Sequence, residues 1–235
     1  MIETREIPGA EPALVFLHEG LGSVALWRDF PDRLAGATGR RAFIYSRAGH
    51  GRSDVPDAPR TPRFMHDEAL EVLPELLREH GIEKPVLVGH SDGGSIALIH
   101  ASQHPVSKLV LLAPHVFVED LSVASIAEAR ETFETTDLRD RMARYHRDAD
   151  ATFRLWNDIW LAPEFRDWNI EDVLPAITAP VLAIQGEHDQ YGTLAQIDAI
   201  ERGVSGPFER AVLQARHAPH LEAPEETLRA AKEFV

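Results

Sequence analysis

The sequence predicts an α/β fold, in which a doubly wound, mostly parallel β-sheet carries helices on both faces and a small helical segment is inserted at about residues 116–175. Short apolar runs alternate with longer stretches of helical character, and this alternation is typical of parallel strands joined by helical crossovers. The 235 residues are 44% hydrophobic, which is enough chain for one sizeable core. We therefore predict a single domain over residues 1–235.

The individual elements follow from these runs and from the segments between them. Strands are predicted at about residues 13–18, 41–46, 85–90, 107–113, 180–186 and 207–213. Helices are predicted at about residues 25–38, 64–80, 92–104, 192–203 and 224–235. The portion before the first run is short, so we expect one strand or a hairpin there.

The most informative element is the run PVLVGHSDGG at residues 85–94. An apolar strand ends in Gly-x-Ser-x-Gly and opens directly into a helix-forming segment, which is the context of a nucleophile elbow. Gly89 and Gly93 are small enough to let the strand and the helix approach each other. Ser91 is therefore the candidate nucleophile, and the backbone N–H of Asp92 is the expected first donor of an oxyanion hole.

A serine hydroxyl needs a general base, and the base needs an acid that orients it. Behind an elbow of this kind the partners follow in the order Ser, Asp or Glu, His. The strand at 180–186 runs into Glu-His-Asp, where Asp189 is the preferred acid because a carboxylate just past the turn fits better than Glu187 or His188. The last strand leads to His217 and His220, and the loop alone does not separate these two candidates for the base.

The order of these motifs resembles the α/β-hydrolase superfamily, and in particular its small esterase-like serine hydrolases, over almost the whole chain. The run LVFLHEGLGS at 14–23 is similar to the family's oxyanion loop, and YSRAGHGRSD at 45–54 is similar to its Arg-x-Gly-x-Gly-x-Ser loop. The elbow, the acid loop at 186–189 and the base loop at 217–224 complete the set. The resemblance implies the α/β-hydrolase fold and a triad of Ser91, Asp189 and His217.

Two details of the site follow from this resemblance. The family places Glu five positions after its catalytic His, with Pro close behind, and Glu222 and Pro224 fit His217. The family's oxyanion loop usually reads His-Gly, whereas Glu19 stands at that glycine position here. The second oxyanion donor is then expected at the N–H of Gly20, with Leu21 as the second choice, and each such donor is worth about 3 kcal/mol.

Residues 116–175 break the alternation of strands and helices. They are rich in Ala, Glu, Arg and Asp, and Glu119 to Arg147 has the spacing of one or two amphipathic helices. The position of this insertion, between the strands at 107–113 and 180–186, resembles that of the family's helical cap, which roofs the substrate pocket.

Four large side chains are predicted to line that pocket. Trp156 and Trp160 lie in the insertion and share a helix face, so at least one is expected to pack the cap onto the core. His115 follows a strand end, and Tyr191 stands beside the predicted acid. Glu19 is a fifth candidate, because Glu19 and Asp92 close to the nucleophile would attract a positively charged group such as that of an amino ester.

Composition excludes several classes of function. The net charge is −14, with no basic tract, which argues against nucleic acid and anionic membrane as partners. No cysteine is present, so disulfides and thiol catalysis are excluded. The sequence has no His-Glu-x-x-His and no Gly-x-Gly-x-x-Gly after a strand, so neither metal nor nucleotide cofactor is expected. No leader or membrane span is evident, which makes the cytoplasm the expected location.

The predicted function is hydrolysis of small carboxylic esters through an acyl-enzyme. Two alternatives remain open at this point. The first keeps the scaffold but changes the reaction to cleavage of a carbon–carbon bond, a lactone or a thioester, because a fold does not fix a function. The second is a hydrolase-like protein that binds a ligand without turnover. The sequence leaves the substrate's identity and the oligomeric state undetermined.

Overall fold

The structure is a computed structural model that describes all residues from 1 to 235. It contains one seven-stranded sheet in the order β1-β3-β2-β4-β5-β6-β7. β1 pairs antiparallel with β3, and every other neighbouring pair is parallel. The strands are β1 (Glu3–Ile7), β2 (Ala10–Leu17), β3 (Arg40–Ser46), β4 (Val86–His90), β5 (Lys108–Leu112), β6 (Val181–Gly186) and β7 (Phe208–Leu213). The predicted mostly parallel sheet is confirmed.

Helices cover both faces of this sheet, which is why its central strands are almost continuously apolar. All five residues of β4 and all six of β6 are buried. Successive side chains of a strand point to opposite faces, so Val15 and Leu87 join the larger core cluster whereas Leu14 and Val86 join the smaller one. The two clusters contain 36 and 16 buried residues.

Outside the insertion, the helices occupy the predicted segments with a few differences in their ends, except for a short helix at Pro219–Glu222 that was not predicted. The α-helices of the chain are α1 (Phe30–Thr38), α2 (Phe64–Asp67), α3 (Leu73–Glu79), α4 (Asp92–Ala101), α5 (Asp120–Thr135), α6 (Leu138–Met142), α7 (Ala149–Trp160), α8 (Ala195–Gly203), α9 (Pro219–Glu222) and α10 (Pro224–Phe234).

Two of the predicted helices are not continuous α-helices. The stretch predicted at 25–38 divides into a 3₁₀ turn at Val24–Trp27 and α1, because Arg28 adopts a φ of 56° and Pro31 lies in the first turn of α1. Between α2 and α3 the chain widens into a π-helical turn at Glu68–Val72. This turn directly precedes α3, whose first turn contains Pro74, and a proline lacks the N–H that a regular helix would need there.

The insertion at 116–175 contains α5, α6 and α7 and lies between β5 and β6. The amphipathic stretch from Glu119 to Arg147 forms two helices, as one of the two expectations had it. Ser122 and Ser125 on α5 donate hydrogen bonds to the backbone carbonyls of Tyr191 and Gln190. These bonds fasten α5 to the loop that follows β6. None of the helices is both long enough and apolar enough to cross a membrane.

Candidate active site

Ser91 occupies a sharp turn between β4 and α4. Its backbone has φ 52° and ψ −117°, a left-handed φ that few residues other than glycine adopt. A Cβ atom on Gly93 would lie 1.9 Å from the carbonyl oxygen of Leu17, and one on Gly89 would lie 2.3 Å from that of Gly93. Both glycines are therefore required by the close approach of β2, β4 and α4, which is the geometry of a nucleophile elbow.

Asp189 and His217 meet at the carboxyl ends of β6 and β7. His217 Nδ1 lies 2.9 Å from both carboxylate oxygens of Asp189. Gln185 Nε2 donates to Oδ2 of Asp189 at 2.7 Å, and the backbone N–H of Tyr191 donates to Oδ1 at 2.8 Å. Burial raises the pKa of Asp189, but the hydrogen bonds from His217 and Tyr191 lower it by a larger amount. The net pKa of Asp189 therefore lies below its ordinary value. This carboxylate is held ionised against the imidazole.

A cavity of about 160 Å³ joins Ser91 to His217. The His217 ring makes its side-chain hydrogen bonds through Nδ1, which leaves Nε2 for the cavity. The structure brings Ser91 and His217 to this one cavity without a hydrogen bond between them, and such bonds commonly form only when substrate is bound. The lining residues are Glu19, Gly20, Leu21, Ser91, His115, Ser122, Ile126, Trp156, Trp160, Tyr191 and His217.

The loop after β2 contributes Glu19, Gly20 and Leu21 to the lining of the same cavity. It forms a turn in which Gly22 N donates to Glu19 O at 3.1 Å, and Arg47 Nη2 donates to the same oxygen at 2.9 Å. The N–H groups of Gly20 and Leu21 donate to no backbone acceptor. Asp92 is the first residue of α4, so its N–H has no partner within the helix. Gly20 and Leu21 therefore line the cavity with N–H groups that no backbone carbonyl uses.

Comparison with known proteins identifies the family of the chain. The profile of the "Alpha/beta hydrolase family" matches residues 14–230. The chain belongs to the alpha/beta hydrolase family. The hydrolase class predicted from the motifs is thereby confirmed, as is the resemblance on which it rested.

Individual members of the alpha/beta hydrolase family resemble this chain over different lengths. The human protein "Serine hydrolase BPHL" is 28% identical over 195 residues, which make up 80% of this chain and 66% of that protein. This chain therefore spans slightly less than two thirds of that relative. The enol-lactonase from Burkholderia xenovorans superposes with a TM-score of 0.76, 21% identity and coverage of 99% and 95%. An esterase from Exiguobacterium antarcticum superposes at 0.73, with 20% identity and coverage of 99% and 94%.

Trp156 and Trp160 of α7 both line the cavity, and both also pack against the body of the protein, where the shared helix face predicted packing for at least one of them. Trp160 Nε1 donates to Asp92 Oδ1 at 3.1 Å and so ties α7 to the first turn of α4. Trp156 lies over Gly20, because a Cβ atom there would stand 2.1 Å from Trp156 Cδ1. Trp168 does not reach the cavity and stacks on Phe165 at 5.3 Å between ring centroids.

Asp92 does not act as the sequence suggested for a cation-attracting carboxylate. Its side chain is completely buried and lies between Trp160 and Arg47, whose Nη2 stands 3.8 Å away. Burial raises the pKa of Asp92, against the opposing effect of Arg47. Of the two acidic residues expected near the nucleophile, only Glu19 lines the cavity.

The competing candidates for acid and base lie elsewhere. His220 packs against Trp27 at 5.0 Å and Phe30 at 5.7 Å and does not line the cavity. Burial lowers the pKa of His220 to about 3, so it is neutral near pH 7. The Glu187 side chain accepts a hydrogen bond from Gln214 on the surface, and His188 is exposed. The geometry thus brings His217 and Asp189 together and leaves the alternatives outside.

Several residues that line or support the cavity belong to no sequence motif and were not predicted. Ser122 and Ile126 enter the cavity from one face of α5, and their spacing of four residues on an amphipathic helix was the only available signal. Gln185 is buried in β6, where a polar side chain among apolar ones indicates a buried hydrogen-bond partner. His115 lines the cavity as expected, and burial lowers its pKa to about 3.

Proposed function

We propose that the protein is a serine hydrolase of small carboxylic esters that works through an acyl-enzyme. The observation that carries this proposal is the contact of His217 with both oxygens of Asp189 at the edge of a cavity lined by Ser91. A carboxylate on Nδ1 fixes the tautomer whose Nε2 accepts a proton, and it stabilises the imidazolium formed when Nε2 does so.

In the first half-reaction Ser91 Oγ attacks the acyl carbon of the ester while its proton passes to His217 Nε2. The carbonyl π-bond opens, and its electron pair becomes the oxyanion. When the intermediate collapses, the C–O bond to the alcohol breaks and His217 returns the proton to the leaving oxygen. In the second half-reaction water attacks the acyl-Ser91 ester by the same route, and the carboxylic acid departs.

The oxyanion would be held from two sides of Ser91. The N–H of Asp92 at the start of α4 supplies one donor, with the positive end of the helix dipole behind it. The N–H of Gly20, or of Leu21 as the second choice, supplies the other from the loop after β2. Losing one such donor typically costs about 10²- to 10³-fold in kcat.

The size of the cavity supports a small substrate. Pockets for drug-sized ligands usually have volumes of about 300–1,000 Å³, whereas the cavity at Ser91 has about 160 Å³. Trp156 and Trp160 close it from the side of the insertion, and we propose that the insertion serves as a cap that limits acyl length. Acetyl and butyryl esters should therefore react faster than octanoyl esters.

The decisive experiment compares hydrolysis of p-nitrophenyl esters, from acetate to octanoate, by the wild type and by Ser91→Ala. Ser102→Ala is the matched control, because Ser102 follows the last turn of the same helix and does not line the cavity. We expect turnover by the wild type and by Ser102→Ala, and none above background by Ser91→Ala. Undiminished turnover by Ser91→Ala would refute the mechanism.

Other substrate classes are distinguished in the same assay. Lactones, thioesters and vinylogous diketones, which report carbon–carbon cleavage, are offered to the wild type beside the esters. If the protein cleaved one of these compounds but no ester, the same side chains would be assigned to that reaction instead of ester hydrolysis. Tight ligand binding with no turnover of any class would favour the binding protein instead.

A further inference from the structure

His90 contacts two loops that the proposed mechanism requires. It is the last residue of β4, directly before Ser91, and its side chain is buried. Its Nε2 lies 2.8 Å from the backbone carbonyl oxygen of His217, in the base loop. Its Nδ1 lies 3.6 Å from Oε2 of Glu19, in the oxyanion loop. One imidazole therefore spans the distance between the oxyanion loop and the base loop.

The protonation state of this ring follows from its neighbours. A carbonyl oxygen only accepts hydrogen bonds, so Nε2 of His90 carries a hydrogen. Nδ1 then faces the Glu19 carboxylate with either a lone pair, which the negative charge repels, or a second hydrogen, which it attracts. Nδ1 has no hydrogen-bond partner of its own, so the Glu19 carboxylate decides whether Nδ1 carries a hydrogen.

The remaining charged and titratable groups around His90 come from three elements. Glu19 lies on the oxyanion loop, Asp189 on the acid loop, and His217 and His220 on the base loop. Burial lowers the pKa of His90, but Glu19 first and Asp189 in addition raise it, and the net pKa lies above its ordinary value. The same contact lowers the pKa of Glu19 to about 2 although burial opposes this.

We propose that His90 is a positioning residue, an imidazolium that ties the oxyanion loop through Glu19 to the base loop through the His217 carbonyl. This inference rests on the proposed function for its catalytic consequence, although the contact itself does not. Glu19 takes the position at which the family usually has glycine, and it is one of the residues that line the cavity where negative charge must develop. The positive charge on His90 balances that carboxylate during the reaction.

The contact is tested first without reference to activity. Histidine NMR of the ¹⁵N-labelled protein reports the protonation of both ring nitrogens as pH is varied. We expect His90 to lose its second proton above the ordinary histidine value of about 6.5 in the wild type, and at a pH lower by about 1 unit or more in Glu19→Gln. A wild-type titration at or below that ordinary value, or a titration unchanged in Glu19→Gln, would overturn the inference.

The catalytic consequence is tested by pH profiles of kcat for the wild type and His90→Gln. We expect an alkaline limb in the wild type that coincides with the NMR titration of His90. In His90→Gln, kcat should fall about 10- to 100-fold with KM changed less than about threefold, because the loops are misplaced by a fraction of an ångström, and the alkaline limb should disappear. The control is His100→Gln, since His100 is a buried histidine on α4 that bonds the Ala69 carbonyl away from the cavity.

The outcomes separate this inference from the proposed function. A wild type that hydrolyses no ester refutes the proposed function, and the NMR titrations then decide the Glu19–His90 contact by themselves. An active wild type whose alkaline limb persists in His90→Gln refutes the positioning role, as does an equal loss of kcat in His100→Gln.

Discussion

Gly20 provides the sharpest test of how the insertion and the oxyanion loop fit together. A Cβ atom at this position would lie 2.1 Å from Trp156 Cδ1 and 2.3 Å from Trp156 Nε1. Non-bonded contacts of a Cβ atom essentially never fall below 3.0 Å, so in Gly20→Ala the ring or the loop must move by about 1 Å. Overpacking of this kind costs about 1–3 kcal/mol of stability, and a displacement of about 1 Å near reacting atoms costs about 10²-fold in rate.

The assay is a double-mutant cycle of Gly20→Ala with Trp156→Ala. For each variant, kcat is measured on p-nitrophenyl acetate and stability is measured by urea unfolding. Because the three atoms nearest to that Cβ all belong to Trp156, Gly20→Ala should cost about 100-fold alone and less than about threefold beside Trp156→Ala, a coupling of about 2 kcal/mol. Gly36→Ala is the control, since a Cβ atom there meets nothing within 4 Å in α1. It should leave kcat unchanged and stabilise the fold by about 0.5–1 kcal/mol. An equal loss from Gly20→Ala with and without Trp156 would refute this reasoning.

Three further changes should separate the roles of nearby groups. Asp189→Asn should reduce kcat by about 10⁴-fold, because His217 is left in the wrong tautomer, whereas a loss below about tenfold would remove Asp189 from the mechanism. Trp160→Phe should cost about 1–3 kcal/mol in urea unfolding, since it leaves the buried Asp92 carboxylate without its donor; unchanged stability would show that the bond is not made. Burial lowers the pKa of His220 to about 3 in the folded protein, whereas the unfolded chain takes up this proton at about pH 6.5. Protonation therefore favours the unfolded chain, and stability falls as pH drops below about 6.5. In His220→Phe the slope of unfolding free energy between pH 6 and 4 should be flatter by about 1.4 kcal/mol per pH unit, and an unchanged slope would contradict the buried neutral state.

The parallel strands were predictable because helices cover both faces of the sheet, so each strand reads as a continuous apolar run. The short edge strand Glu3–Ile7 has mostly exposed side chains and gave no such signal, so its position was bounded only by the space before residue 13. The interruption at Arg28 was missed because the pattern of apolar residues continues across it, and an arginine gives no sequence signal for a positive φ.

The candidate site was predictable to the extent that its geometry is local. The elbow at Ser91 is encoded in a few adjacent residues, and Asp189 and His217 follow from their order along the chain. The environment of His90 is not local, because Glu19 and His217 come to it from loops about 70 and 130 positions away in the chain. In the sequence, His90 and Asp92 occupy the two free positions of Gly-x-Ser-x-Gly, which carry no information about their neighbours. The buried orientation of the Asp92 side chain could therefore not be predicted either.

The attachment of α5 by Ser122 and Ser125 has a consequence for protein engineering. Both serines donate to main-chain carbonyls, those of Tyr191 and Gln190, and a main-chain carbonyl is present whatever side chain a residue carries. Libraries that randomise position 191, which lines the cavity, would therefore reshape the wall of the pocket while the helix above keeps its anchorage. Substrate range and scaffold integrity can be varied separately at this junction.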